Sequence, residues 1–186
     1  VALMCLGFAF QMNGSVRAAE QTLAEAIQLC QDAGNHYSAV VGTMSLARSR
    51  MMQGRLHDAA ATYTQGLAQA AQKGMQQLSA IAQAHINLGR LHYEWNELAL
   101  AEQQLQTGLA QLQGHVGSWV QFEGYILLAR VKQTQGDWAN AFVLLNQAEQ
   151  VAQTIPFQWT KGVTAAFLAY ARLRLGHAEE AYHWLA

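Results

Sequence analysis

Apolar positions along this chain recur with the period of an α-helix, and turn residues interrupt them at regular intervals. The pattern is clearest between positions 88 and 110. Leu88, Leu91 and Trp95 share one helical face, Leu98, Ala101, Leu105 and Leu109 share another, and Asn96 stands between the two runs. After Gly, Asn is the residue that best tolerates the left-handed backbone at a helix end, so the spacing predicts a helical hairpin turning at Asn96. The unit recurs: Leu6, Leu46, Leu88, Leu128 and Leu168 stand 40, 42, 40 and 40 residues apart. Each is followed by a small residue: Gly7, Ala47, Gly89, Ala129 and Ala169. Eight positions after each leucine comes Gly14, Gly54, Asn96, Gly136 or Gly176, and thirteen after it Ala19, Ala59, Ala101, Ala141 or Ala181. At seventeen the residue is bulky (Leu23, Tyr63, Leu105, Leu145, Leu185), and three further on it is small again (Ala26, Gly66, Gly108, Ala148). Small residues at fixed offsets mark places where helices approach so closely that a larger side chain would overpack. The sequence therefore predicts an all-α solenoid of helical hairpins.

Five hairpins are expected, over about 1–31, 36–73, 76–113, 118–154 and 158–186, as one continuous array without a domain boundary. Ser15 is placed to cap the second helix, and Asp32-Ala33-Gly34-Asn35 and Lys73-Gly74 have the chemistry of connectors. Positions 113–118 form the loosest joint, and Pro156, the single proline, falls between the fourth and fifth hairpins. The sequence opens inside a leading helix without methionine and stops inside a trailing one, with no polar capping repeat. It reads as a segment of a longer protein, with apolar ends expected to self-associate.

Composition narrows the functional classes. With 52% hydrophobic and 12% charged residues, abundant helix formers are expected to make long helices rather than sheets. A net charge of −1 gives no field to hold nucleic acid or an anionic membrane surface. Cys5 and Cys30 read as small buried hydrophobes in a reducing compartment. No apolar run reaches the ~20 residues of a membrane span and no signal peptide opens the chain, so the cytoplasm is expected. The seven histidines show no metal-ligand spacing, and His85 and His92 stand ~10 Å apart along one helix. Nucleophile elbows, phosphate loops and dinucleotide glycine patterns are absent from the sequence. We expect no enzyme activity, metal or cofactor.

One constellation points to binding. Two positions after the repeat leucines stand Phe8, Arg48, Arg90, Arg130 and Tyr170, a ladder of arginines with aromatics at both ends. On the third leading helix Gln83, Asn87, Arg90 and Glu94 form a narrow polar line between Ala84 and Leu91 on one side and Ile86 and Tyr93 on the other. The arginines could pair with Glu94 or Glu123 and make packing specific. They could instead line a groove for an anionic or polyhydroxylated ligand or a peptide carboxylate, or simply be solvated. Trp95, Trp138, Tyr63 and Tyr182 read as core between hairpins.

The offsets resemble the tetratricopeptide (TPR) repeat, with a period stretched from 34 to about 40 residues. LHYEWNELALAEQQLQTGLA, GDWANAFVLLNQAEQ and GRLHDAAATYTQGLAQA are similar, more narrowly, to the repeat region of large ATP-dependent LuxR-type, MalT-like bacterial transcription regulators. That resemblance spans essentially all of the chain. It implies a right-handed superhelix of about five hairpins, whose leading helices line the concave face. Arg48, Asn87, Arg90 and Arg130, with Gln83, Tyr93, Glu94 and Glu123 beside them, would then lie in the groove. It also implies a sensor and scaffold role, binding an inducer or partner segment and self-associating, without contact to nucleic acid. The alternative is a peptide-binding TPR adaptor.

Overall fold

Each turn residue placed by the repeat takes the left-handed backbone that ends a helix. In the computed structural model φ is +80° at Gly14, +76° at Gly54, +60° at Asn96, +80° at Gly136 and +87° at Gly176. Gly34 and Gly74 close the connectors in the same way, at +68° and +67°. The residue after several of these returns its N–H to a carbonyl five positions back: Ser15 to Phe10 at 2.9 Å, Glu97 to His92 at 2.8 Å and Asp137 to Lys132 at 2.9 Å. These bonds satisfy carbonyls that the helix end would leave unpaired.

The structure describes residues 2–75, 79–112, 119–156 and 158–176. Among them the elements are α1 (Ala2–Met12), α2 (Val16–Asp32), α3 (His36–Met52), α4 (Leu56–Gln72), α5 (Ser79–Glu94), α6 (Leu98–Gln111), α7 (Trp119–Thr134), α8 (Trp138–Thr154) and α9 (Gln158–Arg174), with no strand. The fold is an all-α array of TPR-like hairpins. Connector 113–118, Ala181, Tyr182 and Leu185 lie outside the described residues. Two compact units divide the chain, Val1–Ala84 and His85–Ala186.

Two kinds of socket hold each unit together. The first lies within a hairpin, where the small residue after the repeat leucine receives the bulky residue at seventeen. A Cβ on Gly7 would stand 2.7 Å from Leu23 Cγ, and one on Gly89 would stand 2.5 Å from Leu105 Cγ and 3.2 Å from the Ala101 carbonyl oxygen. Ala19, Ala59, Ala101 and Ala141, on the facing helices, are completely buried. The second socket joins successive hairpins and lies four positions before the repeat leucine. In the first unit a Cβ on Gly42 would come within 2.7 Å of Met4 Cε and 2.8 Å of Ile27 Cγ1. In the second unit Gly124 stands in the same relation to Ile86 Cδ1 and Leu109 Cδ2, each 2.8 Å from its Cβ position. Met4 and Ile86 are equivalent in the repeat, as are Ile27 and Leu109. The junction is therefore one piece of packing used twice.

Several expectations change at the level of single residues. Ser15 occupies the N-cap position of α2 without a side-chain capping bond, whereas Asn35 and Asp137, with similar backbone angles, cap α3 and α8. At the start of α2 it is the Asn13 side chain that engages the backbone, accepting from the Ser15 N–H at 3.0 Å. Cys30 is buried but Cys5 is exposed, and both are free thiols. Tyr63 is core, at 1% exposure, while Trp95 and Trp138 are only partly buried. Trp138 meets Tyr170 edge-on at 5.4 Å and carries Arg174 4.7 Å above its ring, an interfacial rather than an interior role. Leu6 is half-exposed, because no described helix covers the face of α1 that corresponds to the α3 face packed on α2.

The sockets predict opposite signs for one substitution at two glycines. Gly89→Ala should destabilise by about 1–3 kcal/mol, because the new methyl meets Leu105 and backbone. Gly162→Ala, inside α9 with nothing within 4 Å of the new Cβ, should stabilise by about 0.5–1 kcal/mol. Chemical unfolding of the two variants measures both.

Candidate functional site

The leading helices of the second unit bring part of the arginine ladder to one place. Arg90 on α5 makes an ion pair with Glu123 on α7, the packing partnership that the sequence left open. Arg130, further along α7, lies with its guanidinium carbon 4.7 Å over the Tyr93 ring of α5. Arg90, Glu94, Glu123 and Arg130 line a hollow of about 290 Å³. Its apolar wall is Trp119, Phe122, Ile126 and Leu127 of α7 with Trp159 and Val163 of α9. The indoles of Trp119 and Trp159 stand 5.0 Å apart between centroids, and Trp119 leans on Phe122 at 5.3 Å. Every lining residue comes from α5, α7 or α9, the leading helices of their hairpins. The buried Arg90 Nε has no hydrogen-bond partner among the described residues.

The other candidates lie elsewhere. Arg48 is exposed on α3 in the first unit and is not part of this hollow. Gln83 and Asn87 sit earlier on α5, Asn87 at 4% exposure, and neither lines the hollow. Tyr93 acts through Arg130 and places its hydroxyl 3.4 Å from Thr134 Oγ1. The ladder is thus three environments rather than one: Arg48 exposed, Arg90 paired with a carboxylate, and Arg130 stacked on a ring.

A second set of cations, four positions after the repeat leucine, forms a clasp between hairpins that sequence reading passed over. In the first unit Arg50 Nε donates to Glu20 at 3.0 Å, Gln53 Nε2 donates to the other Glu20 oxygen at 2.9 Å, and Arg55 reaches both oxygens at 3.0 Å. In the second unit Lys132 Nζ is 2.7 Å from Glu102, and Gln135 Nε2 donates to that carboxylate at 3.0 Å. Arg50 matches Lys132 in the repeat, Gln53 matches Gln135, and Glu20 matches Glu102. Between α8 and α9 the same two positions hold Arg172 over the Phe142 ring, at 5.3 Å. A cation is kept in each case while its acceptor changes from carboxylate to π-face. The hydrogen bond from Lys132 holds the Glu102 carboxyl below its ordinary pKa against the burial that would raise it, with Gln135 helping. At Glu20 burial pushes upward, but hydrogen bonds from Gln53 and Arg50 and the charge of Arg55 outweigh it and the pKa is lowered.

A family model described as the MalT-like TPR region matches residues 1–186. No curated protein matches the chain. Among experimental structures, BtubC (BKLC) from P. vanneervenii is similar at 20% identity, over 98% of this chain and 75% of its own, with a TM-score of 0.86. The apo form of RapI is similar at 15% identity, over 98% and 51%, with a TM-score of 0.77. The Rap conjugation gene regulator of the plasmid pLS20, in complex with the Phr* peptide, is similar at 17% identity, over 96% and 49%, with a TM-score of 0.66. At such identities the likeness establishes a shared repeat fold.

The clasp had a signal in the sequence: a basic residue at one offset with an acid at another in the hairpin before. It was outshone by the more regular arginines two positions earlier. Its lowered carboxylate pKa values fix the sign of a pH effect. Glu102 ionises more readily folded than unfolded, so its contribution is complete above its unfolded pKa of about 4.3 and is lost as pH falls through the lower folded value. Glu102→Gln should therefore cost on the order of 1 kcal/mol at pH 7. The gap from wild type should close on acidification below about pH 4.3, as unfolding curves at several pH values would show.

Proposed function

We propose a function for this chain from its membership: it belongs to the MalT-like TPR family, and we assign it the sensor and scaffold part of a LuxR-type regulator in the cytoplasm. In this reading the leading helices of the second unit receive an inducer or a partner segment, and the array contributes to self-association. One observation carries the reading: charges of both signs, from Arg90, Arg130, Glu94 and Glu123, surround a single hollow walled by exposed indoles. Its volume of about 290 Å³ is at the lower end for a small-molecule site and suits one part of a longer ligand. Trp119 and Trp159 are 36% and 55% exposed, large apolar surface that a bound molecule would cover. No helix among the described residues is long and apolar enough to cross a membrane.

A second reading is a peptide-binding TPR adaptor outside transcription. Its support is the fold likeness to the Rap conjugation gene regulator, whose structure holds the Phr* peptide. The two readings agree on where a ligand binds and differ in whether binding serves a transcription regulator.

A ligand of this hollow should raise Tm with concentration, because it binds only the folded state. In a thermal-shift screen of short oligosaccharides and short peptides, an oligosaccharide shift supports an inducer site. A shift with peptides alone supports a site for a partner segment or an adaptor's ligand. Trp159→Ala should weaken any such ligand at least tenfold, roughly the value of a stacked aromatic contact. Unliganded Tm should stay almost unchanged, since Trp159 is 55% exposed. A shift that survives this substitution would move the site elsewhere.

A further inference from the structure

The arginines two positions after the repeat leucine do not meet equivalent partners. Arg90, on α5, pairs with Glu123 on the next leading helix, five positions before Leu128. The position five before Leu168, on the leading helix after that, is Val163. Arg130 therefore has a valine on α9 where Arg90 has a carboxylate on α7, and both Arg130 and Val163 line the hollow. Among the described residues no hydrogen bond or ion pair engages the Arg130 guanidinium, whose carbon lies 4.7 Å over the Tyr93 ring. A guanidinium has five N–H donors and one ring face cannot satisfy them all, so donors remain for an acceptor. Beside it, Trp119, Trp159, Ile126 and Val163 supply apolar wall. Of the two acids at the hollow, Glu123 is taken by Arg90. Glu94 is exposed, so solvent screens its repulsion of an incoming anion.

We propose that Arg130 anchors the carboxylate of a ligand whose apolar body lies against the Trp119 and Trp159 indoles, so that the ligand supplies the acid that α9 lacks. This deepens the proposed function and rests on it. The class is an apolar or aromatic acid, either a free small molecule or the C-terminal residue of a peptide. A carboxylate held by a guanidinium gains charge-assisted, directional hydrogen bonds that a neutral amide of the same shape cannot match.

The test uses N-acetyl-L-tryptophan and N-acetyl-L-tryptophanamide, with an N-acetylated Ala-Leu-Phe tripeptide as its free acid and its C-terminal amide. Binding is read by calorimetry and by the indole N–H resonances of the protein. In each pair the acid should bind about tenfold tighter than the amide, as expected for a charge-assisted contact. Arg130→Gln should bring the pair to within about twofold, since the charge that discriminates them is gone. Val163→Glu places a carboxylate where Glu123 stands one repeat earlier. It should weaken the acids about tenfold by occupying Arg130, and leave the amides unchanged. Val163 is only partly buried, so this second variant keeps the test valid if Arg130→Gln proves unstable. A tripeptide acid that outbinds N-acetyl-L-tryptophan supports a peptide C-terminus as the source, and equal affinities support a small acid. Equal binding of acid and amide to wild type would overturn the carboxylate anchor while leaving the hollow a binding site. No binding of any of the four probes at millimolar concentration, with unmoved indole resonances, would overturn both.

Discussion

Everything in this protein depends on how closely its helices approach one another. A repeat of about 40 residues can stack only if each hairpin presents the next with the same surface, and small residues at fixed positions provide it. Gly7 and Gly89 take the side chains of Leu23 and Leu105 within a hairpin, while Gly42 and Gly124 take Met4 with Ile27 and Ile86 with Leu109 between hairpins. At these distances no larger side chain fits without displacing a neighbour. A socket of this kind therefore sets rotation and spacing together, which a generic apolar stripe would not. Capping adds precision at the ends, where left-handed glycines, and Asn96 once, turn the chain within two residues.

Polar chemistry is fitted around that packing, with two separate roles. Cations four positions after the repeat leucine, Arg50 and Lys132, are consumed in clasps to Glu20 and Glu102 on the hairpin before. They reinforce the junction that the glycine sockets form and make it selective for one register. Of the arginines two positions after the leucine, Arg90 and Arg130 border the hollow that α5, α7 and α9 of the second unit leave between them. Arg90 closes one side of that room by pairing with Glu123, and Arg130 borders it on a tyrosine ring. On α7 a half-turn thus separates a cation clasped to the hairpin before, Lys132, from one set over a ring, Arg130.

The repeat was legible because its signals are local. Left-handed turns demand Gly or Asn, and close contacts demand Gly or Ala, so both print themselves in sequence at constant offsets. The socket four positions before the leucine was passed over because its residues vary: Gly42, Ala84, Gly124 and Thr164 share only modest size. The arginine ladder was visible too, but its meaning depended on what stood opposite one repeat on. Glu123 and Val163 occupy that same place, and only the packing of α7 and α9 shows that Arg90 meets a carboxylate there while Arg130 shares the hollow with a valine. The indole pair of Trp119 and Trp159 could have been found as a repeated residue nine positions before the leucine. Trp138, beginning the helix after the turn, drew attention instead and proved to be a partner of Tyr170 and Arg174.

The most direct test of this account is a double-mutant cycle at the hairpin junction of the second unit, combining Gly124→Ala with Ile86→Val and read by chemical unfolding. Ile86 is fully buried, and its Cδ1 is one of the atoms that a methyl on Gly124 would meet at 2.8 Å. Each change alone should destabilise, the first by overpacking and the second by leaving a void. Together they should cost less than their sum, with a coupling of about 0.5–3 kcal/mol, because the shorter side chain yields the space the new methyl needs. Costs that simply add would mean that Gly124 and Ile86 do not share a socket, and the packing on which the leading helices depend would have to be redrawn.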